Sequence, residues 1–134
     1  MELRTAGLVV LKNRKLLLAY SKNKNAFYLP GGKTDNGETA VQSLIREISE
    51  ELNIVPLAAN LEYYMHISAP AYGEQKGTIM EQECYLYELN ETPIPNAEIG
   101  ALEYFDAAAY KLQPAQVPGV IMLIQQLQQD GLID

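Results

Sequence analysis

The chain has 134 residues, 48% apolar and 20% charged, the size and make-up of one soluble globular domain occupying 1–134. A net charge of −7 argues against general affinity for a nucleic-acid backbone, and a single cysteine, Cys84, excludes an intrachain disulfide. The longest apolar run, Ala6 to Leu11, is far short of the roughly 18 residues that span a bilayer. The start, Met1-Glu2-Leu3-Arg4-Thr5, lacks the pattern of a secretion signal, so a cytoplasmic protein with no membrane contact is expected.

The opening third reads as strands joined by tight turns. Thr5 to Leu11, Lys15 to Tyr20 and Phe27-Tyr28-Leu29 are separated by polar turns at Lys12-Asn13-Arg14 and Ser21 to Asn25. Pro30-Gly31-Gly32 is expected to end the third strand, because proline lacks an amide donor and paired glycines admit unusual backbone angles. Asp35-Asn36-Gly37 then turns the chain into a helix from Glu38 to Leu52, whose Val41, Leu44, Ile45, Ile48 and Leu52 recur at helical spacing. Strands follow at Leu61 to Ser68 and Thr78 to Leu89, flanking a loop from Ala69 to Gly77, with a short strand at Leu102 to Phe105. Beyond Pro114 and Pro118, Val117, Val120, Ile121, Ile124 and Leu127 mark a closing amphipathic helix.

The helix from Glu38 carries a second, acidic face. At about 100° per residue, Glu47, Glu50 and Glu51 share a sector rotated away from the apolar stripe, so three carboxylates are expected to converge. Like charges at this spacing cost an isolated helix a few tenths of a kcal/mol per pair. Arg46 offsets part of that cost, and a hard divalent cation would offset the rest, because carboxylate oxygens suit Mg²⁺. A glutamate-rich face is ordinarily just solvated. Here, however, Gly31-Gly32 precedes it, where bare backbone can approach a phosphate or a metal.

Gly32, five residues, Glu38, seven residues, then Arg46-Glu47-Ile48-Ser49-Glu50-Glu51-Leu52-Asn53-Ile54 resembles the Nudix box, G-x5-E-x7-R-E-U-x-E-E-x-G-U with U apolar. Seven of the eight specified positions after the first glycine agree, and Leu29-Pro30-Gly31-Gly32-Lys33 is similar to the segment that leads into the box in that family. Asn53 stands where the box has glycine. That glycine ends the helix in a left-handed conformation, which asparagine tolerates next best.

The resemblance implies an α/β Nudix fold, a mixed β-sheet sandwiched between α-helices, and hydrolysis of a phosphoanhydride in a nucleoside diphosphate linked to another group. It implies Mg²⁺ as cofactor, with Mn²⁺ as a substitute, and a small nucleotide-type substrate as partner; a homodimer stays open. By the same resemblance Glu47, Glu50 and Glu51 hold metal, a carbonyl of Gly31 or Gly32 adds a ligand, and Arg46 with Glu38 orients the carboxylates. Many family members draw a further acid from a later loop. Glu98, in Pro95-Asn96-Ala97-Glu98-Ile99, is the candidate here, with Glu81 and Glu83 as weaker alternatives. Lys33 is placed to contact phosphate alongside Gly31 and Gly32, with Lys22 and Lys24 as looser candidates. Tyr20, Phe27 and Tyr28 serve either as core or as stacking surfaces, and His66 and Cys84 read as structural. The alternative from another class is a non-catalytic Nudix-fold module that binds or senses a nucleotide. Substrate choice is expected to reside in the Ser21 to Asn25 and Ala69 to Gly77 loops.

Overall fold

Inward–outward alternation and tight turns resolve, in a computed structural model describing residues 1–134, into eight strands and three α-helices, with a single 3-10 turn at Ala58–Asn60. In chain order these are β1 (Glu2–Val9), β2 (Leu11–Lys12), β3 (Lys15–Ser21), β4 (Ala26–Tyr28), β5 (Gly31–Lys33), α1 (Ala40–Leu52), β6 (Glu62–Pro70), β7 (Ile79–Leu86), β8 (Ile99–Phe105), α2 (Ala107–Lys111) and α3 (Pro118–Gln129).

The strands form two sheets. One is mixed, in the order β5-β1-β7-β6, with β1 parallel to β7 and the outer pairs antiparallel. The other is antiparallel, with β3 between β4 and β8 and β2 returning on β3. The chain passes from one sheet to the other through Val10, whose carbonyl accepts from Leu17 N–H at 2.9 Å.

Helices cover both faces of the mixed sheet, which is the layering the sequence led us to expect. Leu44, Ile48 and Leu52 of α1 are fully buried against Ala6, Leu8 and Val10. Each such side chain contributes about 2 kcal/mol of burial free energy. On the other face Val120, Leu123, Ile124 and Leu127 of α3 join Val9, Ile67 and Cys84 in the larger core cluster. Cys84 is wholly buried and its thiol is pushed up to about 12, so it serves as a small hydrophobe.

Among the boundaries that differ from the sequence expectation, three flank the acidic face of α1. Gly31-Gly32-Lys33 does not merely end a strand; it forms β5, paired with Thr5, Ala6 and Gly7 of β1. A Cβ on Gly31, which sits at φ +139°, would run into the Ala6 carbonyl, so only glycine lets the two strands approach there. Helix α1 starts at Ala40 rather than Glu38, because Thr39 is its N-cap. Thr39 Oγ1 accepts from Gln42 N–H at 3.1 Å, and Gln42 Oε1 accepts from Thr39 N–H at 2.9 Å, a reciprocal capping box. Strand β8 starts at Ile99, and the short α2, capped by Asp106, follows it.

Candidate active site

Arg46, one turn before the C-terminal acids of α1, organises the acidic face. Its guanidinium grips Glu38 through Nε to Oε2 at 2.8 Å and Nη2 to Oε1 at 2.9 Å, a bidentate pair. Nη2 also donates to the Lys33 carbonyl at 3.0 Å, tying α1 to the end of β5. Nη1 donates to Glu47 Oε1 at 3.1 Å and stands 3.6 Å from Glu50 Oε1. The Arg46 hydrogen bonds hold the Glu38 carboxyl down at about 2, so Glu38 stays ionised as the anchor of this network.

Glu47 and Glu51 then face the glycines of β5. Glu51 is 7% exposed, and its Oε1 accepts from Gly31 N–H at 3.0 Å. Burial pushes its carboxyl up to about 8, outweighing that hydrogen bond, with the charges of Glu47, Glu98 and Glu50 adding in the same direction. Burial also raises Glu47, against the pull of Arg46. The Glu47 carboxylate rests on Gly32, where a Cβ would collide with it. Helix α1 ends just beyond, with Asn53 at φ 57° and ψ 38°, a left-handed cap whose Nδ2 donates to the Ile94 carbonyl at 3.2 Å.

The loop before β8 docks on this end of the helix. Asn96 N–H donates to the Glu51 carbonyl at 2.9 Å and Lys22 N–H to the Glu98 carbonyl at 2.9 Å. Glu98 Oε2 accepts from Ser21 Oγ at 3.2 Å and from Asn23 Nδ2 at 2.8 Å. Glu47, Glu51, Glu98, Gly31, Gly32 and Lys33 therefore line one cavity of about 480 Å³. This is ample room for a nucleotide-sized ligand.

Against families of known proteins, the chain matches the NUDIX domain over residues 1–124. The chain belongs to the NUDIX family. A 56-residue stretch, 40% of this chain and 33% of the relative, is 39% identical to an ADP-ribose pyrophosphatase of Methanocaldococcus jannaschii, so the match spans about a third of that protein. Among solved structures, a MutT NUDIX hydrolase from Burkholderia pseudomallei superposes with a TM-score of 0.72 at 20% identity, covering 94% of this chain and 97% of that one. The NUDIX domain of Shewanella oneidensis NrtR, complexed with ADP ribose, gives 0.71 at 20% identity over 97% of this chain and 88% of that one. A bifunctional NMN adenylyltransferase/ADP ribose pyrophosphatase from Francisella tularensis, complexed with AMP and a Mn ion, gives 0.69 at 20% identity over 97% and 42%. These likenesses establish the α/β Nudix fold, and the family is typically one of pyrophosphohydrolases that use divalent metals.

The Nudix acids do not all converge as the helical spacing suggested. No three of the chain's Asp, Glu, His and Cys side chains stand close enough together to hold one ion. Glu50 is the outlier, its side chain 56% exposed and leaning toward Arg46, whereas Glu51 turns inward to Gly31. The donor chemistry nevertheless suits a hard cation: two carboxylates, one buried and one largely so, are both pushed up by burial beside bare glycine backbone.

Other residues singled out in the sequence fall in different places. Glu81 and Glu83 lie off the cavity; they alternate with Gln82, which lines it, and instead contact His66 at 3.2 and 2.5 Å. His66, whose sequence context shows no partner, is thus clamped between two acids. Phe27 is core, edge-to-face with Phe105 at 4.9 Å, while Tyr28 lines the cavity. Lys24 lines it too but is bonded to Glu74 and to the Tyr72 carbonyl, and Lys22 does not line it. Ala69 and Pro70, expected in the loop, belong to β6, and the Lys24–Glu74 pair and the 3.0 Å bond from Tyr28 Oη to the Tyr72 carbonyl strap the loop that follows to the turn after β3 and to β4. Sequence reasoning overlooked Ser21 and Asn23 as partners of Glu98, and Thr5 and Gln82 in the cavity floor. For Gln82 the available signal was an amide between the apolar Met80 and Cys84 on an inward strand face.

Proposed function

We propose that residues 1–134 act as one Nudix hydrolase domain that cleaves a phosphoanhydride bond in a nucleoside diphosphate linked to another group, with Mg²⁺ as cofactor and Mn²⁺ as a working substitute. The observation that carries this reading is that one cavity is lined both by the carboxylates of Glu47, Glu51 and Glu98 and by the apolar surfaces of Tyr28, Leu29, Met80 and Val117. A charged polyphosphate and a flat apolar nucleoside need both kinds of lining within one site. The relatives described as ADP-ribose pyrophosphatases make ADP-ribose one of the compounds to test, together with nucleoside triphosphates, nucleotide sugars and dinucleoside polyphosphates.

A divalent cation bound here would neutralise the diphosphate, polarise the attacked phosphorus and lower the pKa of the attacking water. Glu47 and Glu51 would hold it beside the Gly32 carbonyl, and Glu50, which leans toward Arg46, would have to turn inward to join them. Arg46 keeps Glu47 aimed by its 3.1 Å bond, and the Gly31 amide fixes Glu51. Glu98 takes the proton from water. Its Oε2 is occupied by Ser21 and Asn23, which steadies the carboxylate and leaves Oε1 to accept. Lys33, at the rim, draws the anionic substrate toward the site.

The outward position of Glu50 favours a second reading, a module that binds a nucleotide without turning it over. A panel of the four compound classes with Mg²⁺, read by phosphate release and by identification of both products, separates the two. Hydrolysis of at least one class is expected; tight binding with no product across the panel would give the site to the sensor.

A further inference from the structure

Two cationic side chains line the cavity, Lys24 from the turn after β3 and Lys33 at the end of β5, and both are already engaged by one acid. That acid is Glu74, on the loop at 71–78 between β6 and β7. Lys24 Nζ donates to Glu74 Oε2 and, at 3.3 Å, to the Tyr72 carbonyl, while Lys33 Nζ stands 3.8 Å from Glu74 Oε1. Each carboxylate oxygen therefore faces one lysine. The Lys24–Glu74 pair is three-quarters buried, and the Lys24 hydrogen bond holds the Glu74 carboxyl below the usual carboxylate range.

The loop is shaped for this contact. Gly73 sits at φ +76°, and a Cβ there would stand 2.6 Å from Lys24 Cδ, so the lysine stem crosses bare backbone. The base of the loop is closed by Ala71 N–H donating to the Thr78 carbonyl at 3.0 Å. Beyond that base, the hydrogen bonds and ion pairs that tie the loop to other elements run through two residues, the Tyr72 carbonyl and the Glu74 carboxylate. At the other end of the tip Gly77, at φ +92°, has open space around it. An ionised carboxylate on lysine presents the charge and the oxygens that a phosphate would present. Glu74 thus holds the two cations that an anionic ligand in this cavity needs.

We propose that Glu74 is an autoinhibitory latch, which keeps the 71–78 loop against the cavity by occupying Lys24 and Lys33 and is displaced from them by a ligand that carries a diphosphate. One phosphate group of such a ligand is held at the acidic end, so its second meets the lysines as an intramolecular competitor of Glu74. A ligand with a single phosphate group has nothing left over for them. Displaced, Glu74 swings into solvent with the tip of the loop. The inference rests on the reading that the acidic end of the cavity takes phosphate through a divalent cation, but it does not depend on turnover.

Methylenediphosphonate has no anhydride to cleave, so its binding can be measured without reaction. The test is its calorimetric titration into the full chain in Mg²⁺, with methylphosphonate as the single-group control. Glu74→Gln should bind the diphosphonate about fivefold more tightly than wild type, which corresponds to lysines that are free about a fifth of the time in the wild-type chain. Lys24→Met breaks the latch but also removes a phosphate partner, and should show no gain. The position of the loop is read separately, by trypsin at the exposed Lys76 with the fragments identified by mass. Cleavage there should be about fivefold faster in both variants than in wild type, and the diphosphonate, but not methylphosphonate, should raise wild type to that rate. Unchanged or weaker binding by Glu74→Gln would overturn the proposal. So would tighter binding with no change at Lys76, which would leave Glu74 acting through its charge alone, or a wild-type loop that the diphosphonate protects. Hydrolysis of a panel compound without these effects sinks this inference alone, whereas the effects without hydrolysis of any panel compound sink the catalytic reading alone.

Discussion

The Glu47 carboxylate lies on the bare Cα of Gly32, fifteen residues earlier in the chain, in space that any side chain at residue 32 would take. The absence of a Cβ at one position is therefore what sets the carboxylate at the other. Gly32→Ala should push Glu47 out of place and lower kcat/KM by about 10², since displacing a reacting group by an ångström costs that much. Steady-state kinetics beside a thermal melt would check this, and an unimpaired Gly32→Ala enzyme would show that Glu47 does not need that seat.

Asn53 caps α1 in the left-handed region, at φ 57°. Asn53→Gly removes the steric cost of that conformation but also the exposed bond to the Ile94 carbonyl, so urea denaturation should find the two proteins within about 1 kcal/mol of each other. Asn53→Val, with a β-branched side chain, should be destabilised by roughly 1–3 kcal/mol.

His66 gives the fold a pH dependence away from the cavity. Hydrogen bonds that its ring donates to Glu83 and then Glu81 raise its pKa above the ordinary value of 6.5. A histidine whose folded pKa exceeds its unfolded pKa adds stability that is fully present below the unfolded value and is lost as pH rises through the folded one. His66→Gln should therefore melt below wild type at pH 5.5, and the gap should narrow as pH is raised past the folded pKa. With the side chain 45% exposed, the effect should stay under about 1 kcal/mol. An equal gap at pH 5.5 and 9 would mean that packing, not charge, makes the difference.

Much of this site is legible in the sequence because its parts lie on one helix. The 100° period puts Leu44, Ile48 and Leu52 on one face and the acids on another, and the left-handed cap at Asn53 follows from local sterics. What escaped depends on sheet pairing. Gly31-Gly32-Lys33 has no strand propensity and becomes β5 only because β1 offers it a partner. Glu81, Gln82 and Glu83 alternate in any strand, but which of them meets the cavity is settled by the order β5-β1-β7-β6 and by the helix covering each face. The expected convergence of Glu47, Glu50 and Glu51 assumed ideal side-chain directions. Arg46, gripping Glu38, Glu47 and the Lys33 carbonyl together, draws Glu50 aside.

Glu98 is held by Ser21 and Asn23 with one carboxylate oxygen to spare. If that oxygen accepts the proton of the attacking water, Glu98→Gln should reduce kcat by roughly 10² with little change in KM, and should remove the acidic limb of the rate–pH profile. Unchanged rate and profile would leave Glu98 as a loop anchor, and partial rescue at high Mg²⁺ would make it a metal ligand.

The most direct test of the central claim is turnover of the best panel substrate in ¹⁸O-labelled water, with Mg²⁺ and with excess chelator. The account expects one ¹⁸O atom in one of the two phosphate-bearing products, and no products once the metal is withdrawn. Undiminished hydrolysis in chelator, or substrate bound but intact in Mg²⁺, would contradict it.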